Sequence, residues 1–149
     1  IPWSINLSEN DLNDESLVTW LIRSHENTTT TLFGIEISHT ALQNHFAVIA
    51  HLNESCPNLT IIIDDVSTSS AILTQALQLK IQAVKLSGKM INSPNVNKKA
   101  LTELVELCKI DNTKLVAEHI EDKSTLELVT SMGIDFGQGF YLSSPSAIV

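Results

Sequence analysis

Leu59-Thr60-Ile61-Ile62-Ile63-Asp64-Asp65 sets four β-branched residues in a row and then, without a break, two carboxylates. A run of this kind reads as a strand covered on both faces, as in a parallel sheet. It ends by placing acids where parallel α/β folds carry their chemistry, at the C-terminal ends of the strands. The same alternation extends on both sides of it. Before it lie a strand over 3–7 (WSINL), a helix over 12–23 with Leu17, Val18, Leu21 and Ile22 on one face, a strand over 32–37, and a helix over 41–52 with Leu42, Phe46, Ile49 and Ala50 in register. After it come a helix over 69–79, a short strand over 83–86, and a long helix over 96–110 carrying Leu101, Leu104, Val105 and Cys108. A fifth strand over 114–117, a fifth helix over 124–132 capped by Gly133, and a sixth strand over 134–140 complete the pattern before a polar tail. The stretches 28–31 and 92–97 read as loops, and no internal repeat or linker interrupts the series.

Strands alternating with helices of this length predict an α/β fold with a parallel sheet. Six units in a row predict a partial TIM-type (β/α) barrel, two units short of a closed eight-stranded one. An open doubly wound sheet is the alternative, but its glycine-rich first turn is missing, since Leu7-Ser8-Glu9-Asn10 contains no glycine.

With 149 residues, 43% of them apolar, the chain has the composition of one globular domain with a real core. Nine Lys and Arg stand against seventeen Asp and Glu, for a formal charge of −8. That balance argues against nucleic acid and against direct contact with an anionic membrane, both of which ask for basic surface. No apolar stretch reaches the ~18 residues of a membrane span. Cys56 and Cys108 lack metal-ligand spacing and read as buried free thiols. A reducing, cytoplasmic setting is expected, with the chain as the cytoplasmic end of a larger, membrane-anchored protein as a variant. The opening at Ile1, straight into a strand, suggests a piece of something longer.

The strand ends carry Asn6, Glu36, Asp64-Asp65, Lys85, Glu118 and Gln138, in that order. One Asp or Asn at a strand end is ordinarily a turn former or a helix cap. Glu36 between Ile35 and Ile37 is harder to explain so, because carboxylates are seldom placed inside strands without a task. Oxygen donors from separate strands converging on one mouth suit hard divalent cations, and a lysine beside them suits a developing negative charge.

These residues resemble the EAL-domain cyclic di-GMP phosphodiesterases, over about residues 4 to 145. Ser4-Ile5-Asn6-Leu7-Ser8 is similar to the family's S-V-N-L-S, and Ile35-Glu36-Ile37-Ser38-His39-Thr40 to L-E-I-T-E-S. Asp64-Asp65 stands at D-D-F-G, the stretch 79–87 at L-P-V-D-x-L-K-I-D, and Ala117-Glu118-His119-Ile120-Glu121 at A-E-G-V-E. Gln138-Gly139-Phe140 with Ser144 and Pro145 matches Q-G-Y and its trailing S-x-P.

The resemblance implies Asn6, Glu36, Asp64, Asp65 and Glu118 as ligands for Mg2+ or Mn2+. It implies Lys85 and Glu118 as catalytic groups, Gln138 as a ligand contact, and Glu121 as a brace for the loop after the third strand. It implies cyclic di-GMP as partner, together with an upstream segment of the parent protein or a second chain to complete the barrel. The departures point away from catalysis. The family's E-x-L segment would precede Ile1, the D-F-G-T-G-Y loop reads Asp65-Val66-Ser67-Thr68-Ser69-Ser70, the Asp of K-I-D is Ser87, and His39 and His119 replace Glu and Gly. His39 reads as a solvated first-turn residue, and His119 as one that could line the mouth. The expected function is a degenerate signalling module. An active phosphodiesterase with its first motif upstream, and a structural dimerisation domain, stand as alternatives.

Overall fold

The computed structural model describes residues 4–26, 33–67, 70–92 and 98–143. The loop at 28–31, most of the one at 92–97, and the pair Ser144 and Pro145 lie outside the described residues.

Six strands, β1 (Ser4–Leu7), β2 (Gly34–Ser38), β3 (Thr60–Val66), β4 (Ala83–Leu86), β5 (Lys114–Ala117) and β6 (Phe136–Gly137), form one sheet in the order of the sequence. Every neighbouring pair is parallel. The helices between them are α1 (Glu9–Leu12), α2 (Glu15–Glu26), α3 (His39–Asn44), α4 (Phe46–Ser55), α5 (Ser70–Gln78), α6 (Gly88–Ile91), α7 (Lys98–Ile110) and α8 (Lys123–Ser131). The partial barrel expected from the alternation is the observed architecture.

Two of the expected helices are each divided, and capping chemistry explains the first division. Ser8 and Asp11 form a capping box that starts α1 at Glu9, ahead of the expected position. Asp14 Oδ1 then accepts the N–H groups of Ser16 and Leu17 and starts α2 afresh. The expected helix over 41–52 begins earlier because the Ser38 hydroxyl accepts from the Ala41 N–H, and it is interrupted at His45.

Helices α5, α7 and α8 end alike. Lys80, Asn112 and Gly133 each take a positive φ, of 52°, 58° and 73°. The next residue reaches back five positions in every case: Ile81 N–H to Ala76, Thr113 N–H to Cys108, Ile134 N–H to Val129. This is the Schellman ending, and in each case it turns the chain directly into the next strand.

The sheet's two faces differ. Ile35, Ile37, Ile61, Ile63, Val84, Leu86, Leu115 and Ala117 point toward the helices and are at most 1% exposed. They join Leu21, Leu42, Ile49, Leu52, Leu101 and Val105 of the helices in the core. Cys56 and Cys108 are buried in the same layer without a disulfide between them, and burial pushes the Cys108 thiol up to about 11. The residues between them on the strands, Asn6, Glu36, Ile62, Lys85 and Phe136, occupy the opposite face. Among the described residues no helix is long and apolar enough to cross a membrane.

β6 is shorter than the seven residues expected over 134–140, with only Phe136 and Gly137 in the ladder. Past it the chain folds over the loop after β5: Ile120 N–H donates to the Gln138 carbonyl and Tyr141 N–H to the Ile120 carbonyl. A Cβ at Gly139 would lie 2.3 Å from both the nitrogen and the oxygen of Ile120, so this crossing requires a glycine.

Candidate functional site

Parallel pairing aligns the polar residues at one end of the sheet. Asn6 lies beside Glu36, and Ser38 beside Asp64. Between Ile63 and Val66 the β3–β4 register shifts, and Asp65 at the shift has a φ of +53°. One extra residue in β3 lets Asp64 face the mouth while Val66 still turns into the helix layer, where it is fully buried beside Leu86. Asp tolerates this left-handed conformation better than most side chains, and Asp64 Oδ1 holds it by accepting the Asp65 N–H at 2.8 Å.

Lys85 is the hub of the mouth. Its Nζ donates to Glu36 Oε2 at 2.7 Å and stands 3.6 Å from Glu118 Oε1. The Lys85 and Glu36 side chains are only 12% and 10% exposed, so this pair is far less screened than a surface ion pair. Ser4 donates its hydroxyl to the other oxygen of Glu36. Gln138 donates its amide to Glu118 Oε1 at 2.6 Å, and the Asp64 carboxylate is near enough for its charge to act on Glu118.

The electrostatics follow from this wiring. Burial pushes the Glu36 carboxyl up, but the hydrogen bonds from Lys85 and Ser4 and the charge of Lys85 outweigh it, leaving it below the ordinary glutamate value. Burial pulls Lys85 down, yet its bond to Glu36 and the charges of Glu36, Asp64 and Glu118 hold it above the ordinary lysine value. Glu118 is raised, by burial and by the negative charge of Asp64, with Lys85 offsetting only part of the effect.

The mouth therefore gathers Asn6, Glu36, Asp64, Lys85, Glu118 and Gln138. Asp65 and Glu121 are exposed, and among the described residues neither takes part in the ion pairs around Lys85. Thr68 and Ser69, in the loop that Glu121 was expected to brace, lie outside the described residues. His39 opens α3, as expected of a first-turn residue, but it is half-buried and its Nδ1 is enclosed. One contributor, Ser4, was not expected, and His119 lines the mouth region as its position suggested. Ser4 acts on Glu36, and its position two residues before Asn6, on the same side of β1, was the available signal. His119 and Phe140 line an open cleft of about 280 Å3 beside Gln138, Gly139 and Ser143.

A divalent ion at this mouth would need free carboxylate oxygens. Glu36 is taken up by Lys85 and Ser4, and Glu118 Oε1 by Gln138 and Lys85. Among the described residues no three His, Cys, Asp or Glu side chains are arranged to hold a metal. As the side chains stand, Glu36 and Glu118 turn their oxygens onto Lys85, Ser4 and Gln138, and one ammonium balances only part of the negative charge of the three carboxylates.

A parallel βα sheet with an acidic, lysine-centred mouth at its strand ends defines a barrel-type module whose polar groups converge from separate strands. The EAL domain model matches residues 1–145, and the chain belongs to that family. It is 28% identical to the biofilm architecture maintenance protein MbaA of Vibrio cholerae, over 99% of this chain and 19% of that protein. It is 24% identical to the cyclic di-GMP phosphodiesterase PdeB of Shewanella oneidensis, over 97% of this chain and 18% of that protein. The chain thus spans about a fifth of the length of these curated relatives. In fold it is similar to the FimX EAL domain from Pseudomonas aeruginosa bound to c-di-GMP, with a TM-score of 0.83 at 20% identity, covering 96% of this chain and 62% of that one.

Proposed function

We propose that this chain is a degenerate EAL-type module of cyclic di-GMP signalling, acting by ligand sensing or protein interaction and not by cleaving the dinucleotide. One observation carries the reading: the mouth keeps Glu36, Asp64, Lys85 and Glu118, but a buried Ser87 stands where the family's K-I-D has its aspartate, so the set lacks one carboxylate that a metal-dependent hydrolase of this family would use. One ammonium among three carboxylates leaves the mouth net negative, with Lys85 offsetting only part of the charge that Asp64 and Glu118 place on each other. Support for the dinucleotide as ligand comes from family membership and from the c-di-GMP-bound state of the similar FimX domain. In this reading Gln138 and Lys85 contact the ligand, Glu121 steadies the loop after β3, and the module works in the cytoplasm as part of a longer protein.

A second reading, an active phosphodiesterase using Mg2+ or Mn2+ with Lys85 and Glu118 as catalytic groups, is favoured by PdeB, which is named for that activity. Incubating the purified chain with cyclic di-GMP and either ion, and separating the products by chromatography, decides between the two. The degenerate reading expects no linear product. Linear product that disappears in Glu118→Ala establishes the enzyme. Calorimetry should give weak cyclic di-GMP binding, strengthened when the preceding segment of the parent protein is included.

A further inference from the structure

His119 takes a φ of +55°, a left-handed conformation natural to glycine and uncommon for a residue with a Cβ. The chain holds it there with several devices. The Asn92 amide donates to the His119 carbonyl at 2.9 Å, and Asn92 Oδ1 accepts the Thr125 hydroxyl at 3.1 Å. Ile120, the next residue, is tied by its N–H to Gln138. The imidazole lies against Gly88, where an added Cβ would come within 2.6 Å of His119 Cδ2 and 2.8 Å of its Cβ and Cγ. Gly88 is fully packed, so the ring occupies a niche that exists only because residue 88 has no side chain.

A strained backbone sustained by its surroundings points to a task for the side chain it presents. The strain is not needed to connect β5 to the next helix, since glycine would adopt the same conformation freely. What His119 adds is a flat ring on the wall of the open 280 Å3 cleft, which it shares with Gln138, Gly139, Phe140 and Ser143. Phe140 is 67% exposed, an aromatic ring that no core packing explains. Two planar, solvent-facing rings beside an amide are the means by which proteins hold nucleobases, because every base offers a π-face. The neighbouring Glu36, Asp64 and Glu118, with Lys85 as their only ion-pair partner among the described residues, make a poor phosphate site, so the cleft favours the base end of a nucleotide.

We propose that His119 is a specificity-determining residue whose imidazole, with Phe140, forms a stacking wall for a purine base. The inference rests on the ligand-sensing form of the function proposed above and assigns the cleft to the base of the cyclic dinucleotide. Gly88 and the Asn92–Thr125 pair are positioning residues that act through His119.

The test uses the 149-residue chain and two probes, guanosine monophosphate and cyclic di-GMP. Titration with the mononucleotide, followed by NMR, should shift the ring signals of His119 and Phe140, with the other four histidines as internal references. His119→Gly should melt at the same or a higher temperature, since the strain is relieved, and bind either probe roughly tenfold or more weakly. Gly88→Ala should weaken binding similarly by pushing the ring out of its niche. If Gly88→Ala does not fold, the double variant with His119→Gly gives the added methyl room, and it should fold yet still bind poorly. Unchanged affinity in His119→Gly overturns the inference, and so does a lowered melting temperature, which would make His119 a structural residue. Mononucleotide shifts at His119 and Phe140 without any binding of cyclic di-GMP would uphold the base wall and sink the dinucleotide reading. Dinucleotide binding that leaves both rings unshifted would do the reverse.

Discussion

The two faces of this one sheet are built on opposite terms. Toward the helices, strand residues from Ile35 to Ala117 are aliphatic and at most 1% exposed, and they interlock with the apolar stripes of the surrounding helices. Toward the mouth, the alternate residues of the same strands are Glu36, Asp64, Lys85 and, just past the end of β5, Glu118, held by hydrogen bonds and charge. Dispersion and burial tolerate small shifts in position, whereas a hydrogen-bonded ion network at low exposure penalises every missing partner. The difference teaches that stability resides on one face and chemistry on the other. A family member can therefore rewrite its mouth while its fold persists.

The largest effect that tests this division is in the helix-facing layer. Ile61→Ala and Ile63→Ala should each cost about 2–5 kcal/mol in equilibrium unfolding, while Ile62→Ala, on the mouth side and 9% exposed, should cost clearly less. Equal losses at all three positions would break the comparison.

Next in size is Lys85→Met, which leaves Glu36 buried with only Ser4 as partner and should cost about 1–3 kcal/mol. Adding Glu36→Gln to it should recover part of that loss, which a double-mutant cycle measures. Purely additive losses would mean that the mouth is not a network.

Smaller, and of opposite sign, is Glu118→Gln. The folded state raises the Glu118 carboxyl, so its protonated form is favoured and its charge is a burden above the ordinary value of 4.5. The amide should therefore stabilise the chain at pH 7, with the gain closing as the pH falls toward 4.5 and below. Glu36 behaves inversely: its depressed pKa contributes stability above 4.5 that is lost as the pH falls through the folded value. Thermal melts of wild type, Glu118→Gln and the single variant Glu36→Gln from about pH 3 to 8 would separate the two signs (a range in which most carboxylates titrate).

The smallest effect, at Lys80→Gly, lies on neither face. Glycine relieves the left-handed strain at the end of α5 and should add about 0.5–1 kcal/mol to unfolding stability, without changing the behaviour of the mouth.

Most of the outer face was legible in the sequence, because β-branched runs and helical spacing of Leu, Ile and Val depend on nothing beyond the chain itself. Glu36, Asp64, Lys85 and Glu118 were legible as a set for a related reason: strand ends in a parallel sheet converge by construction. Their mutual arrangement was not, since whether Lys85 pairs with Glu36 or stands apart depends on the stagger of β3 against β4 at Asp65. Ser4 escaped notice because a serine at a strand start has many ordinary uses. The short β6 escaped because Phe136, Phe140 and Tyr141 read locally as strand, while the crossing over Ile120 that ends the ladder is a contact between distant parts of the chain.

The strand order, which runs from β1 to β6 as the sequence does, has a consequence for how the molecule comes into being. Each new strand needs only the one synthesised just before it, a separation of a few dozen residues, so no early segment has to wait for a late one. A nascent chain emerging at ~5–20 residues per second would add its units one at a time to a single growing rim. A pause or frameshift after any helix would then leave a shorter sheet whose growing rim is bare, and that rim is where a chaperone or a neighbouring chain would meet an unfinished molecule.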